Sequence, residues 1–108
     1  MGKNIGIKNL NKIVQQLVQT TQPQAIYLFG SYASGKPNEN SDLDFCIIKN
    51  QIKDKNTLLK NAYLSLYKLP YAFDLVMMTQ DEFDQRKSVW WTLQGQIQEK
   101  GKKIYEAS

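Results

Sequence analysis

The sequence predicts an α/β (α+β) domain in which a small mixed β-sheet is backed by helices on one side. Short apolar runs, bounded by Gly, Pro and polar clusters, alternate with longer stretches of helical periodicity. The order that results is helix, strand, short helix, strand, helix, strand, helix, a pattern that buries its apolar faces by layering helices on a sheet. The 108 residues carry no repeat, linker or low-complexity segment, so residues 1–108 are expected to form a single domain.

Residues 7–20 place Leu10, Ile13, Val14, Leu17 and Val18 at helical spacing, which makes an amphipathic first helix. Pro23 stops its continuation. Residues 25–29 are a short apolar run closed by Gly30 and read as a buried strand. Residues 31–34 suit one helical turn, and the polar stretch 35–41 suits a loop. Residues 42–49 form a second strand, nearly all apolar after two carboxylates. A longer helix is expected over 53–68, with Leu58, Leu59, Ala62, Tyr63, Leu66 and Tyr67 on one broad stripe. Pro70 ends it, and 71–78 forms the third strand. Thr79 with Glu82 three residues on is a capping-box signature. The helix it opens is expected to run, with an interruption, through Trp90, Leu93 and Ile97 to a cap at Gly101, followed by a brief strand at 103–105.

Composition excludes several chemistries. Histidine is absent, which removes the commonest general base and metal ligand. Cys46 is the single cysteine, so no internal disulfide forms, and its apolar neighbours Phe45, Ile47 and Ile48 suit a buried, unreactive thiol. Catalysis therefore has to rest on carboxylates, lysine, tyrosine or a metal held by oxygen. The formal net charge of +4 suits anionic ligands and equally suits plain solubility. No apolar stretch approaches the ~18 residues of a membrane span, and residues 1–10 lack the apolar core of a leader peptide. The protein is expected in the cytoplasm, with no membrane partner.

Asp42 and Asp44 flank Leu43 at the start of the second strand. Residues two apart on a strand project to one face, so the two carboxylates repel unless a cation joins them, and Mg²⁺ favours such oxygens. A lone Asp-x-Asp is more often a polar strand start. Asp74 is the one charge in its apolar run, where burial without a partner would be costly. It either completes an acidic cluster with Asp42 and Asp44 or pairs with a cation at the sheet edge. Gly30-Ser31 follows a strand, where glycine permits close approach of a ligand and a helix start offers N–H groups to an anion. On its own that pair is an ordinary turn and cap. Trp90 and Trp91, as neighbours on a helix, cannot share one face, so at least one is expected in the core; a partner surface is the competing reading.

Together these residues have a specific spacing: Gly30-Ser31, ten intervening residues, Asp42-Leu43-Asp44, then Asp74 on a later strand. The pattern resembles the DNA polymerase beta-type nucleotidyltransferase superfamily, most closely its minimal (MNT) members. The stretch Ser41-Asp42-Leu43-Asp44 and the ending at 99–106 also look like that family. The resemblance implies a nucleotidyltransferase fold and transfer of AMP from ATP to a hydroxyl. It also implies two Mg²⁺ ions held by the catalytic acids Asp42, Asp44 and Asp74, and nucleotide gripped by Gly30 and Ser31. Members of this type often pair with a HEPN-domain toxin, so a tyrosine of such a partner is the expected acceptor within a toxin–antitoxin pair. Transfer to a small molecule, or a non-catalytic antitoxin acting by binding, are the alternatives. A nucleic-acid partner is not expected, and a homo-oligomer is left open. One position departs from the pattern: many relatives read Gly-Ser-x-Ala-Arg-Gly, whereas Ser34 stands here in place of the arginine. Lys36 is the nearby cation that offers a substitute, as a point charge without the guanidinium fork.

Overall fold

The computed structural model describes residues 7–37 and 41–108. The beginning of the polar N-terminal segment and residues 38–40 of the expected loop lie outside them. The chain runs α1 (Ile7–Thr21), β1 (Ala25–Phe29), α2 (Gly30–Ser34), β2 (Leu43–Ile48), α3 (Lys55–Leu66), β3 (Phe73–Met78), α4 (Gln80–Arg86), α5 (Leu93–Lys100) and β4 (Lys102–Glu106). The four strands lie in the order β3-β2-β1-β4. β1 is antiparallel to both β2 and β4, and β2 is parallel to β3. The sheet is therefore mixed, as expected, and α3 supplies the crossover that a parallel pair needs.

Boundaries follow local chemistry. α3 begins two residues later than its apolar stripe suggests, because Asp54 serves as N-cap and accepts from the Thr57 N–H at 3.2 Å. The box at Thr79 forms as the sequence predicts: its hydroxyl accepts from Glu82 N–H, and the Glu82 carboxylate accepts from Thr79 N–H.

The expectation of helices on one side is overturned. Strand alternation sends Ile26, Leu28, Leu43, Phe45, Ile47, Leu75 and Met77 to one face, against Ile13 and Leu17 of α1 and Ala62 and Leu66 of α3. The opposite face carries Ala25, Cys46, Ile48 and Met78, covered by Phe83 of α4 and Ile97 of α5. The physical reason is visible in β2: Phe45, Cys46, Ile47 and Ile48 are all fully buried, and four consecutive buried residues require cover on both sides. Each fully buried Leu, Ile or Phe contributes about 1.5–3 kcal/mol relative to exposure.

The expectation that Trp90 or Trp91 enters the core is also overturned. Both are 70% exposed and stack edge to face at 5.8 Å between ring centres. They fall in the turn between α4 and α5, so helical periodicity does not govern them. Thr92 organises that turn: its hydroxyl reaches the carbonyls of Arg86 and Val89 and accepts from Gly95 N–H as N-cap of α5. At the far edge of the sheet, the Leu75 N–H of β3 donates to the Tyr63 hydroxyl at 2.9 Å.

Gly95 lets the turn close onto α5. A Cβ there would overlap the Val89 carbonyl oxygen and stand 2.8 Å from its carbon. Gly95→Ala is expected to lower stability by about 1–3 kcal/mol, the usual cost of forcing extra volume into a packed contact. A leftward shift of the urea midpoint at constant m-value checks it.

Candidate active site

β1 ends at Phe29, which lies opposite Asp44 in the antiparallel ladder. The chain then turns at Gly30, whose φ of 74° is in the left-handed region, and enters α2 at once. A Cβ on Gly30 would overlap Asp44 Oδ2 and come within 3.0 Å of its Cγ. Glycine is thus required twice, by the backbone conformation and by the carboxylate pressed against it. The N-cap Phe29 offers no side-chain acceptor to α2. Ser34 turns its hydroxyl back onto the Ser31 carbonyl at 3.0 Å, which also accepts from Lys36 N–H at 3.0 Å.

The acids gather through strand register. Asp44 of β2 lies beside Asp74 of β3 as parallel partners, so both carboxylates project to the α4–α5 face. Asp42 precedes β2 and lies near enough for its charge to act on Asp44. Asp44 is half-buried and its carboxyl is pushed up to about 6, first by burial and then by the negative charges of Asp74 and Asp42. Asp74 is exposed, so the cost of burying a lone charge never arises. No group of three His, Cys, Asp or Glu side chains among the described residues stands close enough to enclose a metal. The donor chemistry nevertheless suits Mg²⁺: all three groups are carboxylates, and the charge repulsion felt by Asp44 is what a divalent cation relieves.

Beside the bend, a cleft of about 290 Å³ is lined by Phe29, Gly30, Ser34, Gln96 and Lys100. Gln96 and Lys100 come from α5, one helical turn apart. No local pattern ties α5 to Gly30, and sequence reasoning missed both residues. Lys36 does not line this cleft. The tyrosines sort by internal use: Tyr27 stacks on Phe83 at 5.3 Å, Tyr71 meets Phe73 edge-on and Tyr63 holds Leu75. Among the described residues no helix is long and apolar enough to cross a membrane.

The family model described as Polymerase beta, Nucleotidyltransferase matches residues 11–108. No curated protein matches the chain. Among solved structures, a mutant of the MntA–HpeT toxin–antitoxin is 25% identical with a TM-score of 0.63, the match covering 93% of this chain and 74% of that one. A toxin–antitoxin with AMP-PNP is 24% identical with a TM-score of 0.63, covering 90% and 73%. The tri-AMPylated Shewanella oneidensis HEPN toxin in complex with MNT antitoxin is 23% identical with a TM-score of 0.60, covering 90% and 69%. At these identities the likeness is one of fold.

The raised Asp44 carboxyl gives a prediction with a definite sign. Its folded value of about 6 lies above the ordinary 3.8, so between these values the folded state binds more protons than the unfolded one, and stability falls as pH rises. Asp54 and Glu82 act oppositely, each held below the usual range, by the Thr57 side-chain hydrogen bond and the Thr79 backbone hydrogen bond respectively. The readout is therefore a difference. In chelator, Asp44→Asn is expected to gain stability over the unmodified chain as pH climbs from about 4 to about 6, with the gain constant above that. Urea midpoints of both proteins across this range check it.

Proposed function

We propose, from the premise that this chain belongs to the polymerase beta nucleotidyltransferase family, that it transfers AMP from ATP to a hydroxyl, a tyrosine of a partner HEPN toxin. Residues 1–108 act as one nucleotidyltransferase domain. The observation that carries the reading is the register of Asp44 against Asp74, on the same face as a glycine bend that presses on the Asp44 carboxylate. The acceptor is argued from the solved structures that share the fold: one holds AMP-PNP, and one is a HEPN toxin carrying AMP groups in complex with an MNT antitoxin.

In the reaction the acceptor oxygen bonds to the α-phosphorus while the bond from that phosphorus to the bridging oxygen breaks. Pyrophosphate leaves with the electron pair, and Asp74 takes the hydroxyl proton. Gly30 and Ser31 hold phosphate oxygens through backbone N–H groups and the Ser31 hydroxyl. Asp42, Asp44 and Asp74 are the side chains that would hold Mg²⁺, and the chemistry it would supply there is neutralisation of the negative charge that develops during the transfer. The exposure of Asp74 leaves its carboxylate open to an incoming protein side chain, which a deeply enclosed acid would not be.

Asp42→Asn and Asp44→Asn are each expected to reduce transfer by about 100-fold or more, because each removes charge aimed at the reacting phosphate. Circular dichroism should remain unchanged. The measurement is label passed from α-³²P-ATP with Mg²⁺ to the co-expressed partner toxin. Label found only on a small acceptor overturns the protein acceptor, and a stable complex that never becomes labelled overturns transfer altogether.

A further inference from the structure

We propose that Lys100, on α5, is the cation that binds the triphosphate beside the Gly30-Ser31 bend, in the role left open by Ser34. The inference rests on the nucleotidyl-transfer reading and deepens it by naming a substrate-binding residue. Three observations carry it. Lys100 lines the same cleft as Gly30 and Ser34. Its ammonium has no ion-pair partner among the described residues, so the charge is not spent inside the fold. Ser34 cannot serve, since its hydroxyl is turned onto the Ser31 carbonyl, and Lys36 lies off the cleft lining.

The polarity of the site agrees. The Asp44 carboxylate lies against Gly30, and Lys100 of α5 shares with Gly30 the lining of the cleft. A triphosphate bound at the bend would have the Asp44 carboxylate near one side of Gly30 and a cationic residue in the cleft lining beside it. Gln96, one turn earlier, has its side-chain amide on the Trp90 carbonyl, which ties this stretch of α5 to the preceding turn and steadies the helix that carries Lys100. A lysine in the last turn of a helix also offsets the negative end of the helix dipole. That structural role would not distinguish a triphosphate from a nucleoside, and the test turns on this difference.

The experiment measures equilibrium binding of α,β-methylene-ATP and of adenosine, with Mg²⁺, to the full chain and to Lys100→Gln, Lys100→Arg and Lys36→Gln. Lys100→Gln is expected to weaken the triphosphate about tenfold, the scale of one lost charge-assisted contact, and to leave adenosine unchanged. Lys100→Arg retains affinity, and Lys36→Gln binds as the unmodified chain does. Equal triphosphate affinity in Lys100→Gln, or a parallel loss of adenosine binding, overturns the inference while leaving the transferase reading intact. An unmodified chain that binds no triphosphate overturns both. Melting of Lys100→Gln should stay within a few degrees of the unmodified protein, because the side chain is exposed and only its interaction with the helix dipole is lost.

Discussion

The parallel pairing of β2 with β3 places two carboxylates side by side, and the rest of the site is arranged around that repulsion. Asp44 and Asp74 are register partners, and Asp42 adds a third negative charge that Asp44 feels. A sheet has no internal reason to collect like charges, which destabilise a pair directly opposed. The fold can carry them because the apolar remainder of both strands is buried on two faces. Core packing fixes the register, and the register forces the acids together. A site of this kind holds electrostatic tension until a cation or a proton relieves it.

The glycine bend fits into the same frame. Gly30 is the residue at which β1 stops, the chain reverses its handedness, and the Asp44 carboxylate comes closest to the backbone. Any side chain at that point would push on the carboxylate and on the cleft together. The Asp44 side chain is thus held close against the backbone of the bend, in the space that a Cβ at Gly30 would fill. Preorganisation of this kind costs nothing at the moment a substrate arrives.

Much of this was legible before coordinates. β1 stands out because Pro23 and Gly30 flank a short apolar run, and α4 because Thr79 and Glu82 spell a reciprocal cap. The closing strand, expected at 103–105, spans Lys102–Glu106. The legible features are local: turns, caps and the start of an apolar strand at its carboxylates. Long-range features were harder. The four-residue run Phe45 to Ile48 contains the signal for helices on both faces, whereas element order alone points to a one-sided layer. Helical periodicity points a tryptophan toward the core, but Thr92 breaks that segment into a turn. Lys100 was invisible, since nothing near position 100 encodes that α5 will fold back beside Gly30.

The contact between Tyr63 and the Leu75 N–H has a consequence for association. β3 is an outer strand of the sheet, and exposed outer strands recruit foreign strands through unpaired backbone groups. A phenol from the crossover helix occupies one of those donors next to Asp74. A visiting chain is thereby discouraged from zipping onto this border as an additional strand. At that donor the border is closed to strand addition, while Asp74 beside it stays open to a side chain.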